Sequence, residues 1–137
     1  MNSYQFSYDI HIFDTDCYGV VWHGSYAKWL EMGRVDFCKK VLLMDLKILS
    51  DEHQVVVPVV EQTVRYKAMA RFGDNLTLTT RLEPHEPKLI FHQHIEDSQT
   101  GKRMIEARTD CVLTHSEGRL YRRFPEIMNK ALFACRD

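Results

Sequence analysis

Alternation of apolar and polar side chains predicts five strands along the chain. Residues 4–13 are the first, because aromatic and branched side chains fall there on every second position. Period two with such residues is typical of a strand buried on one face. The other predicted strands span residues 55–69, 75–82, 88–96 and 102–115. Short turns rich in Gly, Pro and Asp separate most of them, which indicates an antiparallel sheet.

A helical period replaces this alternation between residues 25 and 44. Its apolar positions are Tyr26, Trp29, Leu30, Gly33, Phe37 and Val41. This spacing predicts one long helix, with Ser25 as its N-cap. Gly33 costs about 1 kcal/mol relative to Ala inside a helix, so we expect it to let a strand approach closely. Residues 46–54 are predicted as a loop, and a short helix is predicted over 125–135 with Pro at its start.

The order of these elements is strand, long helix and then four strands. One helix can cover only one face of an antiparallel sheet. The pattern therefore predicts an α+β fold in which about five strands curl round a central helix.

Composition places limits on the class of protein. A length of 137 residues fits a single domain over 1–137, and a formal charge of −1 gives no overall attraction to nucleic acid or anionic lipid. The four cysteines are scattered without CxxC spacing, which argues against a disulfide framework or zinc ribbon. No signal-peptide pattern and no apolar run of the ~20 residues that span a bilayer is present. We therefore expect a cytoplasmic protein.

Residues 14–34 join an acidic turn to the start of the predicted helix. Asp14 and Asp16 stand in the turn, and Gly19 and a short apolar run follow. A carboxylate thus comes a few residues before the unpaired N–H groups that open a helix. Such an acid can attack a carbonyl while the backbone donors hold the oxyanion that forms. We therefore expect the chemistry of the protein in this segment.

The motif in this segment resembles that of a known enzyme family. It reads Asp14-Thr-Asp16-x-x-Gly19-Val-Val-Trp22-His23-x-x-Tyr26, followed by Glu31-x-x-Arg34. This string resembles the hot-dog-fold thioesterases, in particular their 4-hydroxybenzoyl-CoA thioesterase and YbgC-like branch. The resemblance implies the hot-dog fold and the hydrolysis of an acyl-CoA, or of an acyl carrier protein thioester. It implies no metal or redox cofactor, since coenzyme A is part of the substrate. It also implies a homodimer whose sheets join edge to edge, often doubled to a tetramer, with active sites at the subunit interface.

The same resemblance implies catalytic roles. The second acid of the pair carries the chemistry in this family, and that role transfers to Asp16 as nucleophile or as general base. The backbone N–H groups at the helix start, those of His23 and Gly24, would polarise the thioester carbonyl. Gly19 would let the backbone turn tightly beside the acid.

Substrate contacts are implied as well. They fall on Gly19, Val21, Trp22, Tyr26, Lys88, Arg122 and Arg123. The three basic residues would meet the phosphates of coenzyme A. Cys17 and Tyr18 depart from the small residues or Pro common in relatives, and Leu89 replaces a small hydroxyl residue. Aromatic acyl groups and short or medium aliphatic chains both fit a pocket with residues such as Trp22, Tyr18 and Phe91.

Structural roles compete with these assignments. Asp is a common turn residue, and we assign Asp14 a supporting role. Glu31 and Arg34 lie three residues apart on the helix, so we expect them to form an ion pair or to support the site indirectly, rather than to react. Tyr26 also fits the core stripe of the helix. Ordinary solvated charge explains the three basic residues as well as coenzyme A contact does.

Other chemistries are also open. His92 and His94 share a strand face, but no third ligand has clear spacing, so we expect no metal site. Cys17 is a weak nucleophile candidate, because the neighbouring acid disfavours its thiolate. The alternative functions are a hot-dog dehydratase or hydratase and a non-catalytic module that binds acyl thioesters.

Overall fold

A five-stranded antiparallel sheet is the largest element of the computed structural model, which describes residues 3–135. Its strands are β1 (Tyr4–Asp9), β3 (Val59–Tyr66), β4 (Asn75–His85), β5 (Lys88–Asp97) and β6 (Arg103–Val112). They are ordered β1-β4-β5-β6-β3, so β1 and β3 are the edges. Strands β2 (Val55–Val56) and β7 (Thr114–His115) form a separate antiparallel pair. The predicted α+β class is confirmed.

Three helices accompany the strands within residues 3–135. They are α1 (His23–Lys40), α2 (Leu46–His53) and α3 (Glu126–Ala134). Helix α1 packs on the inner face of the sheet, and its Gly33 allows a close approach. A Cβ at this position would lie 2.5 Å from the side chain of Leu78 and 2.7 Å from that of Gln93. The close approach of a strand that we predict at Gly33 is therefore confirmed.

The prediction for both early helices needs correction. Helix α1 begins two residues before Ser25, and Trp22 is its N-cap. The Ser25 hydroxyl instead donates a buried hydrogen bond to the Asp14 carbonyl (3.0 Å). The loop predicted over 46–54 is wrong, because α2 occupies it. The carboxylate of Asp45 caps this helix by accepting from the amides of Lys47 and Ile48 (2.9 and 3.1 Å).

Three strand boundaries also differ from the prediction. The strand predicted over 55–69 is broken near Pro58, whose nitrogen carries no hydrogen to donate. Strand β1 stops at Asp9, and a 3-10 turn covers Ile12–Asp14. Strand β4 continues through Pro84, where a turn was predicted, and pairs there with Leu89.

The sheet has two ends that matter for function. We call the end at Asn75 and Asp97 the near end, and the end at His85 and Lys88 the far end. Strand β4 has 11 residues, so the two ends lie about 30–35 Å apart. Helix α1 starts at the near end and points toward the far end. Each end has its own cluster of buried apolar side chains beneath the sheet.

Within residues 3–135, no helix has the length and apolar character needed to cross a bilayer.

Candidate active site

Asp16 lies in an exposed tight turn at the near end. Its Oδ1 accepts hydrogen bonds from the amides of Tyr18 (2.8 Å) and Val20 (3.3 Å). Its own amide donates to the Val20 carbonyl (2.9 Å). Gly19 supplies the φ of +73° that closes this turn. No donor within residues 3–135 reaches the second carboxylate oxygen, Oδ2. The turn therefore orients the acid and leaves one oxygen open to solvent.

Backbone hydrogen bonds fasten this turn to the segment that leads into β4. The amide of Val21 donates to the Ala70 carbonyl (3.0 Å), and that of Phe72 donates to the Gly19 carbonyl (3.3 Å). The hydroxyl of Tyr26, on α1, accepts from the Ala70 amide (2.9 Å). Turn, helix and following segment are thereby held as one unit.

The first two amides of α1 face no acceptor within residues 3–135. Trp22 is extended at the N-cap position, and its side chain accepts no hydrogen bond from the helix. The Ser25 amide bonds the Trp22 carbonyl (3.0 Å). The amides of His23 and Gly24 donate to no atom of the described residues. Free N–H groups at a helix N-terminus form the positive end of the helix dipole, which suits them to a developing oxyanion.

The indole of Trp22 folds back over the first turn of α1. A Cβ at Gly24 would lie 1.8 Å from the indole Cζ3 and 2.1 Å from Cη2. Gly24 therefore provides the space that the ring occupies. The indole remains 48% exposed and meets the His23 ring edge-on at 5.8 Å. Trp22 thus forms a wall beside the two free amides.

Asp14 contrasts with Asp16, although only one residue separates them. Its side chain is fully buried. Oδ2 accepts from the Tyr8 hydroxyl (3.1 Å) and the His11 amide (3.0 Å), and Oδ1 accepts from the Lys28 ammonium (3.2 Å). Both carboxylate oxygens are occupied, so this acid is built into the protein and does not face solvent.

Some of the residues predicted to contact substrate are buried in the core, and others are exposed. The side chains of Val21 and Tyr26 belong to the near-end core. Phe91 lies in the far-end core, where it packs edge-on against Phe37. Four exposed aromatic side chains border the acid turn instead: Phe13, Tyr18, Trp22 and Phe72. Tyr18 is the most open of them, at 82% exposed. An apolar surface therefore borders the candidate site.

The predicted basic residues lie at the other end of the sheet. Lys88 begins β5 at the far end and forms an ion pair with Asp110 (3.1 Å). The guanidinium of Arg108 hydrogen-bonds the same carboxylate (2.8 Å), and together with Lys88 it lowers the pKa of Asp110. Arg122 and Arg123 are exposed and precede Phe124, whose amide donates to Glu86 beside this hairpin. A single chain does not bring these residues to Asp16.

Arg34 has partners that the sequence pattern does not predict. Its guanidinium donates from α1 to Gln93 (3.4 Å) and Thr109 (3.5 Å) on the sheet. Among the described residues Arg34 makes no ion pair with Glu31, so of the two roles expected for this pair the ion pair is wrong. Burial lowers the pKa of Arg34. The sequence did carry a signal for these contacts, because Gln93 and Thr109 are polar residues on two buried strands. Buried polar groups need hydrogen-bond partners.

The two histidines of β5 have separate surroundings. The Nε2 of His92 bonds Glu83 (2.7 Å), and this hydrogen bond lowers the pKa of the glutamate. Burial, followed by the charge of Arg103, lowers the pKa of His94. Within residues 3–135, no three His, Cys, Asp or Glu side chains converge in a metal-binding group.

Comparison with known proteins identifies the family. The model of the thioesterase-like superfamily matches residues 10–132. The Synechocystis protein sll0410, whose name proposes an esterase, is 29% identical over 127 residues, covering 90% of this chain and 74% of the relative. The acyl-CoA thioester hydrolase YbgC of Escherichia coli is 28% identical over 102 residues, covering 72% and 75%.

Solved structures agree with the fold. The 4-hydroxybenzoyl CoA thioesterase of Pseudomonas sp. strain CBS-3 superposes with a TM-score of 0.84 at 21% identity, covering 96% of this chain and 99% of that one. The predicted hot-dog fold is thus confirmed. The chain belongs to the thioesterase-like superfamily and is a thioester hydrolase, as its motif predicts.

Proposed function

We propose that the protein hydrolyses an acyl-CoA to the free acid and coenzyme A, with Asp16 as its reacting acid. The observation that carries this proposal is the pairing of one open carboxylate oxygen with two free helix amides in one segment. Asp16 is held through Oδ1 alone, and the amides of His23 and Gly24 stand seven and eight residues later. A thioester carbonyl between them would meet an acid and two oxyanion donors.

The proposed reaction begins when the thioester oxygen accepts from the amides of His23 and Gly24. Negative charge develops on that oxygen as the carbonyl carbon is attacked, and the fixed helix dipole stabilises it. Asp16 either attacks directly, giving a mixed anhydride that water then opens, or removes a proton from the attacking water. The thiolate of coenzyme A leaves in both routes. Neither route needs a metal or a redox cofactor.

A second copy of the chain would complete the site. Edge strand β3 is exposed along nearly its whole length and carries Val59, Val60 and Tyr66 toward solvent. Antiparallel pairing of two β3 edges would cover these side chains and join the sheets. The two-fold axis would reverse one sheet relative to the other. The far end of one copy, with Lys88, Arg122 and Arg123, would then lie on the same side as Asp16 of its partner, where these cations could meet the phosphates of coenzyme A.

The apolar border of the site supports an apolar acyl group, either aromatic or short to medium aliphatic. Two of the relatives above carry names that specify a CoA thioester as substrate. Four free cysteines agree with a reducing, cytoplasmic setting. An acyl carrier protein thioester would present the same bond, so it belongs in the same test.

The experiment is a hydrolysis assay with aromatic and aliphatic acyl-CoAs of graded length, and with matched carrier-protein thioesters. Loss of the thioester absorbance is the appropriate signal, because Cys17 is exposed and would react with thiol reagents. We expect turnover of at least one acyl-CoA. Tight binding without turnover across the panel would instead favour a binding module. Addition of water to an enoyl thioester without hydrolysis would favour a hydratase.

A further inference from the structure

Asp14 is the most completely buried acid of the described residues, and its contacts reach three elements. Its carboxylate accepts from Tyr8 on β1, from the His11 amide before the 3-10 turn, and from Lys28 on α1. A buried carboxylate is costly unless such donors satisfy it. The proposed reaction gives this acid no chemical step, so its burial needs another reason.

The backbone of Asp14 adds a second set of bonds to the start of α1. Its carbonyl accepts from the Ser25 hydroxyl (3.0 Å) and from the Trp22 amide (3.4 Å). Ser25 and Trp22 flank His23 and Gly24, which carry the free amides. The side chain of Asp14 therefore fixes the residue to β1 and α1, while its carbonyl fixes the helix start.

We propose that Asp14 is a positioning residue that sets the distance between the Asp16 carboxylate and the free amides of His23 and Gly24. This inference rests on the proposed function, because it concerns the geometry of that site. Only Thr15 separates Asp14 from Asp16, so a displacement of the buried acid moves the reacting acid with it. A misplacement of about 1 Å in an active site can cost about 100-fold in rate.

Two substitutions separate the contacts of Asp14. Asp14→Ala removes all three side-chain bonds and leaves the Tyr8 hydroxyl and the His11 amide without their acceptor. We expect kcat to fall about 100-fold with little change in KM, because Asp14 touches no substrate. Asp14→Asn keeps an oxygen for the two Oδ2 donors and loses the charge opposite half-exposed Lys28. Its kcat is expected within about fivefold of wild type.

Double variants test whether the contacts act through Asp14. Tyr8→Phe and Lys28→Met each remove one donor to the carboxylate. Each is expected to lower kcat in the wild-type background and to have no further effect beside Asp14→Ala. Leu49→Ala serves as the control for lost stability, because Leu49 lies in the far-end core. Its kcat is expected to match wild type when assayed well below the unfolding temperature.

Amide NMR spectra test the same proposal without an activity readout. We expect Asp14→Ala to shift the amide resonances of Tyr18, Val20, His23 and Gly24 and to speed hydrogen exchange at the bonded amides of Tyr18 and Val20. Leu49→Ala should leave all four resonances in place. Unmoved resonances in Asp14→Ala, or a kcat equal to that of Leu49→Ala, would overturn the positioning role even if Asp16→Asn is inactive. Full activity of Asp16→Asn would instead refute the proposed function, and the NMR comparison would still decide the role of Asp14.

Discussion

The two ends of the molecule use their side chains in opposite ways. At the far end, α2 and α3 cover the sheet, and bulky side chains such as Leu49, Met128 and Leu132 close the core. At the near end, helix α1 starts with free amides, and aromatic side chains such as Tyr18 remain exposed. A stable fold would gain from capping those amides and covering those rings. Their exposure marks the near end as the part shaped for a ligand.

This difference also separates stability from catalysis. The near-end core beneath α1 is well packed, so the open features above it stand on a rigid base. The far end supplies much of the buried apolar surface but no member of the acid turn. Substitutions in the far-end core should therefore change stability, and substitutions around the acid turn and the start of α1 should change rate.

Leu49→Ala is expected to have the largest effect on stability. It removes a side chain that is 2% exposed in α2, and such truncations cost about 2–5 kcal/mol in free energy of unfolding. Denaturant unfolding measures the loss, and kcat should stay at the wild-type value. A kcat that falls in proportion to stability would show that the two ends are not separable.

Gly24→Ala tests the wall that Trp22 forms at the near end. The new methyl group must displace the indole, and we expect kcat/KM to fall about 10- to 100-fold, or roughly 1.4–2.7 kcal/mol in transition-state stabilisation. Stability should not fall, because Ala favours a helix more than Gly does.

Trp22→Ala provides the matched background for this change. Without the indole, Gly24→Ala should have almost no effect on kcat/KM. Steady-state kinetics of the four proteins gives the coupling between the two positions. Equal losses in both backgrounds would mean that the indole does not act through Gly24.

Asp110→Asn is expected to have the smallest effect and to depend on pH. The hydrogen bond from Arg108, with help from Lys88, lowers the pKa of Asp110 below its ordinary value of 3.8. The pair therefore stabilises the fold fully above that ordinary value, and the contribution is lost as pH falls through the lowered pKa. We expect the variant to lose about 1 kcal/mol at pH 7, discounted for the exposure of both cations.

Unfolding of wild type and Asp110→Asn between pH 2 and 7 measures this contribution. The two stabilities should converge in acid and differ above pH 4. A constant difference across the whole range would show that the charge of Asp110 does not stabilise this end.

The elements that the sequence predicts well are those with a strong local period. The alternation in β1, β4, β5 and β6 and the apolar stripe of α1 each belong to one continuous stretch. The acid turn is similarly local, since Asp16 and His23 lie only seven positions apart, with Gly19 and Trp22 between them. Such features need no knowledge of distant contacts.

What the sequence does not predict depends on tertiary packing. Helix α2 buries only Leu49, so it lacks a clear apolar stripe, and its cap at Asp45 was the one local signal. The burial of Asp14 depends on Lys28, and the partners of Arg34 lie on strands far along the chain. The position of Lys88 at the far end follows from strand register, which a single sequence does not fix.

Hydrolysis of the best acyl-CoA by Asp16→Asn is the most direct test of Asp16 as the reacting acid. Asn retains the Oδ1 that accepts from Tyr18 and Val20, so fold and turn should persist, with unchanged circular dichroism and unfolding temperature. Glu52→Gln, an exposed change on α2, is the matched control. We predict that Asp16→Asn loses at least about 100-fold in kcat while Glu52→Gln is unaffected. Near-wild-type turnover by a folded Asp16→Asn protein would rule out Asp16 as the reacting acid.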